Sequence, residues 1–66
     1  MNMTAANKIR QLFKDAGNTY YVYVAHPQWE NPIRITNVKR QGLLVRVRTI
    51  NGEWKTVTAE HKIYAQ

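Results

Sequence analysis

The chain has 66 residues, ten Lys or Arg against four Asp or Glu, a formal net charge of +6, 44% apolar residues and no cysteine. Such a length allows one domain, spanning 1–66, with a thin core, because so short a chain buries only roughly 60% of the surface it exposes when unfolded. The composition excludes a disordered chain, a disulfide framework and a zinc ribbon, and the charge favours polyanionic partners.

Residues 4–16 place Ala5, Ala6, Ile9, Leu12, Phe13 and Ala16 at helical spacing, a narrow apolar stripe on one amphipathic helix. Thr4 is the expected N-cap, Lys14 suits the last turn, and Gly17-Asn18 supplies the stop. Lys8, Arg10, Gln11 and Lys14 cover the polar side.

From Thr19 the period changes to two, and β-branched and aromatic residues dominate. The first strand, TYYVYVAH, puts Tyr20, Val22 and Val24 on one face and Tyr21 and Tyr23 on the other. PQWENP reads as a loop, since proline removes a backbone donor and turns its predecessor away from helix. IRITNVKR follows, with Ile33 and Ile35 facing one way and Arg34 and Thr36 the other, and Gln41-Gly42 carries the turn into LLVRVRTI.

Asn51-Gly52 is the sharpest local signal, because a type I′ turn requires positive φ at both central positions. That turn pairs Thr49 with Trp54, Arg48 with Lys55, and Val47 with Thr56. Alternation then assigns Leu43, Val45, Val47 and Trp54 to the core and Arg46, Arg48 and Lys55 to a basic face. Arg48 opposite Lys55 costs a few tenths of a kcal/mol at most, about the lower end of cross-strand pair energies, so a polyanion or a neighbouring acidic group over this face would offset it. EWKTVT, a one-turn break at AEH, and KIYAQ complete the chain. Five short antiparallel strands at 19–65 behind a helix at 4–16 predict a mainly β fold. The economical form is a strongly bent, SH3-like barrel that removes exposed edges.

Catalysis has little basis. There is no Ser or Cys, one Asp, three Glu and two His, and no spacing sets a nucleophile beside a base. The three glycines, at 17, 42 and 52, are too scattered for a phosphate-cradling loop. The expectation is therefore no enzyme, no metal, no cofactor and no small-molecule substrate. Without eighteen consecutive apolar residues or the apolar core of a signal peptide, a cytoplasmic location away from membranes is expected. Single-stranded nucleic-acid binders join basic side chains to rings on which bases stack, and Tyr21, Tyr23, Trp29 and Tyr64 are the candidate rings.

The element order, together with IRITNVKRQGLLVRVR and VTAEHKIYA, resembles the Sm-like family and its bacterial RNA-chaperone branch over about residues 5–65. In that family a helix caps a five-stranded bent barrel and subunits close into rings. The resemblance implies a homo-oligomeric ring that binds single-stranded RNA ahead of DNA, with the fourth strand of one subunit paired to the fifth of the next. Loops after the second and fourth strands line the pore there, which transfers to Lys39, Arg40 and Gln41 and to Ala59, Glu60 and His61, flanked by Asn37 and Lys62. Lys39, Arg40 and Gln41 stand where the family carries an acidic turn residue, and Glu60 stands where the bacterial Lys-His pair has its lysine. Lys39 and Arg40 are assigned to phosphates, Gln41 and His61 to bases or sugar, and Arg46, Arg48 and Lys55 to a second basic surface. KOW and Tudor domains share the strand plan but usually lack the helix. The alternative is a small basic SH3-like interaction module, a phage-type or plasmid-type regulator, that contacts a protein through the loop HPQWENP.

Overall fold

A computed structural model describes residues 5–66 and shows one helix, α1 (Ala5–Ala16), followed by β1 (Val22–Ala25), β2 (Ile33–Gln41), β3 (Leu44–Thr49), β4 (Trp54–Val57) and β5 (Lys62–Ala65). Thr4, the expected cap, lies outside the described residues. The apolar stripe of α1 lies on the sheet: Ala6, Ile9 and Ala16 are buried, and Leu12 and Phe13 pack against the same cluster as Val22, Val24, Ile35, Val38 and Val47. The helix ends where Gly17 N–H donates to the Phe13 carbonyl at 3.2 Å, a single bond that closes the last turn. Tyr20 N–H still reaches back to the Ala16 carbonyl, so the strand begins only at Val22. Tyr20 is accordingly 55% exposed and does not share the buried face of Val22 and Val24, as strict alternation from Thr19 predicted.

The strands form one antiparallel sheet in the order β4-β3-β2-β1-β5. The mainly β class with a leading helix is as the sequence predicts, but the barrel is not closed. Among the described residues no backbone ladder joins β4 to β5, the two outer strands. Both are only four residues long, and side chains occupy the gap between them: Trp29 lies between Lys55 of β4, whose Nζ is 5.6 Å from its ring centre, and His61 just before β5. No helix among the described residues is long and apolar enough to cross a membrane.

Two departures from simple alternation decide which side chains face outward. In β2, Ile35 pairs with Thr49 but Asn37 pairs with Arg48, so Thr36 is an extra residue, a β-bulge. The bulge brings Val38 into the core and turns Asn37, Lys39 and Gln41 outward, the reverse of uninterrupted alternation from Ile35. The second departure is at the Asn51-Gly52 turn. Only Gly52 has positive φ (89°), and Thr49 N–H donates to the Glu53 carbonyl at 2.8 Å. The loop therefore has three residues, Ile50, Asn51 and Gly52, the form that closes with a left-handed glycine. Buried Thr49 stabilises it, its Oγ1 accepting the N–H groups of Asn51 and Glu53.

The consequence is a register one residue away from the predicted one. Arg48 pairs with Trp54, Val47 with Lys55, and Val45 with Val57. Trp54 is thus not core but half-buried beside the outward arginines, and Lys55 leaves that face for the side of buried Val47. The exchange sets Val57 opposite Val45, both partly buried against the core, in the position that the predicted register gave to a threonine. Leu43 is likewise not core. It is 94% exposed in the two-residue turn Gly42-Leu43, where Gly42 alone takes positive φ (62°), as the first position of a type II′ turn requires.

Candidate nucleic-acid interface

Residues opposed across a ladder share a face, so the buried positions identify the outer one. On β2, β3 and β4 the outer face carries Asn37 beside Arg48 and Trp54, and Lys39 beside Arg46 and Thr56. The Lys39 ammonium is 4.3 Å from the Trp54 ring centre, and Arg46 Nη2 donates to the Trp54 carbonyl at 3.3 Å. Arg46 Nε is buried and has no hydrogen-bond partner among the described residues. Exposed Arg48 reaches the β3–β4 turn, where its Nη2 would be 3.6 Å from a Cβ placed on Gly52. A lysine and an arginine thus flank one indole on a single strip of sheet.

On the other half of the sheet, Tyr23 pairs with Arg34 across β2 and with Tyr64 across β5, and the two tyrosine rings stack at 5.7 Å and 23°. The Arg34 guanidinium lies 3.6 Å over the ring of Tyr21, itself 53% exposed. Tyr21 and Tyr23 therefore belong to the outer face rather than lying under α1. Lys62, exposed on β5 opposite Ala25, extends the same face. Arg34 was not among the sequence candidates. Its signal was nonetheless present, since alternation placed Arg34 outward from Ile33 and Ile35 just as it placed Tyr23 outward from Val22 and Val24.

The remaining candidates sit elsewhere. Arg40 pairs with Val45 on the inward side, and its Nε turns back to the Gly42 carbonyl at 3.1 Å, while Gln41 is exposed at the end of β2. His61 is half-buried: its Nδ1 accepts from Thr58 N–H at 3.0 Å, and its ring lies 4.7 Å from His26 and 5.2 Å from Trp29. Trp29 also meets His26 at 5.6 Å, so the aromatic loop folds back onto the sheet instead of presenting its indole. Lys55 joins this second cluster. Among the described residues no hydrogen bond, ion pair or ring contact connects His61 with the 39–41 group.

No contact ion pair compensates the cations of the outer face among the described residues. Among the described residues no Lys or Arg lies within 4 Å of a carboxylate; the single ion-pair contact is His26 Nε2 to Glu60 Oε1 at 3.5 Å. Asp15 instead accepts a hydrogen bond from Gln11 Nε2 at 2.8 Å. Comparison of the chain with family models, with curated proteins and with solved structures returns no match.

Proposed function

We propose that this protein binds single-stranded nucleic acid on the outer face of its sheet and self-associates through β4 and β5, the outer strands of the sheet among the described residues. The observation that carries the reading is the joint placement of Arg34, Lys39, Arg46, Arg48 and Lys62 with Tyr21, Tyr23, Tyr64 and Trp54 on one face, where no carboxylate lies within 4 Å of a Lys or Arg among the described residues. Cations set along a strip attract phosphates, and rings between them offer stacking surfaces of about 1–3 kcal/mol per base. The function is binding rather than catalysis. Resemblance to Sm-like proteins puts RNA ahead of DNA and suggests a ring, and β4 and β5, each with one ladder partner among the described residues, support that assembly because open edges readily pair with another chain. Within such an assembly Lys39 and Gln41, which lie inside β2 rather than in the loop after it and face outward, are the candidate strand contacts.

Titration of a fluorescent oligoribonucleotide, followed by anisotropy at rising salt, tests the binding, and light scattering tests the assembly. A mass that is a multiple of 7.7 kDa is expected. A monomer at high concentration would remove the ring, and undetectable binding at low salt would remove the nucleic-acid reading. A second reading, a protein-interaction module, is favoured by the β2–β3 turn, where Leu43 and Leu44 are 94% and 50% exposed. It predicts binding that varies little with salt.

A further inference from the structure

The corner where α1 passes into β1 contains a cavity of about 380 Å³ whose lining includes Phe13, Asn18, Tyr20, Tyr21, Arg34 and Thr36. Resting on the reading above, we propose that this cavity holds one unpaired base of the bound strand, with Tyr20 as its stacking surface and Arg34 holding the adjoining phosphate.

Three features of the corner fit a nucleotide. Tyr20 is more than half exposed and has no ring partner among the described residues, whereas Tyr21, Tyr23 and Tyr64 are each engaged by a cation or another ring. Arg34 is positioned by its contact with Tyr21, and no carboxylate lies within 4 Å of it among the described residues, so an anion would be its first charged neighbour. Thr36 is the bulge residue, outside the ladder, and its hydroxyl and the Asn18 amide make no hydrogen bond within the described residues. They supply donors and acceptors of the kind that read a base edge, beside the apolar surface of Phe13. A ring to stack on, free polar groups at the rim and a cation at the mouth match a planar heterocycle attached to a phosphate.

The test is a backbone-amide NMR titration of the intact protein with a ten-nucleotide oligoadenylate and, separately, with adenosine monophosphate. Oligonucleotide binding is also measured for Tyr20→Ala and Tyr20→Phe. The expected result is a shift of Gly17, Asn18, Tyr20 and Thr36 by the oligonucleotide, an affinity loss of about tenfold for Tyr20→Ala, and near-native binding for Tyr20→Phe, which keeps the ring. Shifts confined to Lys39, Arg46 and Arg48, with Tyr20→Ala binding like the native chain, would overturn the pocket and leave the outer-face reading standing. No shift anywhere would overturn both. Corner shifts with the mononucleotide at lower concentration than the oligonucleotide would overturn the strand assignment in favour of a free nucleotide. The exposure of Tyr20 makes loss of folding in these variants readily separable, since circular dichroism should match the native chain.

Discussion

Replacing Lys39 and Arg48 together by Gln gives the most direct check on the outer face. Both side chains are exposed, so their removal leaves the core untouched, whereas Arg46 is hydrogen-bonded to the Trp54 carbonyl and is kept. Each single-strand phosphate neutralised contributes about −0.7 to the slope of log K against log salt, so the five outer-face cations of one protomer predict a slope of about −3.5. Between about 50 and about 200 mM salt, that slope weakens binding roughly 130-fold in the native chain, and the double variant, at about −2.1, loses only roughly 18-fold. Anisotropy with a labelled oligoribonucleotide at four or five salt concentrations measures both slopes. Lys8→Gln with Lys14→Gln, on the exposed side of α1, is the control and should keep the native slope. If the Lys39/Arg48 variant keeps the native slope, or the helix variant loses as much, phosphates are not held where the structure assembles these cations, and the reasoning from the face fails.

The turn makes a separate prediction. With only Gly52 at positive φ, Asn51→Ala should change stability by less than about 0.5 kcal/mol, while Gly52→Ala should cost about 1–2 kcal/mol in urea unfolding. Similar costs at both positions would indicate the two-residue turn instead. Val47 is fully buried, and Val47→Ala should remove about 2 kcal/mol and roughly 10 °C of melting temperature; Leu43→Ser, at the exposed turn, should fall within about 0.5 kcal/mol of native. Equal effects in a thermal melt would contradict the assigned register. Trp29→Ala should cost about 1–3 kcal/mol because the indole packs on His26 and His61, and it should leave oligonucleotide affinity within about twofold. Loss of oligonucleotide binding in a folded Trp29→Ala chain would contradict the placement of Trp29 away from the interface.

The helix was legible because its information is local: Ile9, Leu12 and Phe13 recur at the spacing that puts them on one side of any α-helix, and Gly17 follows. The five strands were legible for the same reason, through period-two runs cut by Pro27, Pro32 and the glycine turns. Half of the candidate face was legible too. Tyr23, Arg46 and Arg48 point outward as alternation predicts, and Arg34 carries the same signal.

What escaped the sequence were features that depend on a count of one residue. Asn-Gly fits a two-residue turn and also a three-residue turn with glycine last, and these send Trp54 to opposite faces. The choice follows from Thr49 accepting two loop amides and Val57 packing beside Val45, both interactions that exist only once β3 and β4 are paired. The bulge at Thr36 leaves no mark in composition, yet it decides that Val38 is core and Lys39 is surface. The folding of Trp29 over the open side between β4 and β5 is similar, since it joins residues from three separate elements. The sequence by itself thus determined the elements and the charge they carry, because both are properties of short stretches. Only the tertiary structure decided which cations share a face with which rings, because strand register is set by packing across the sheet, and a slip of one residue reverses every side chain beyond it.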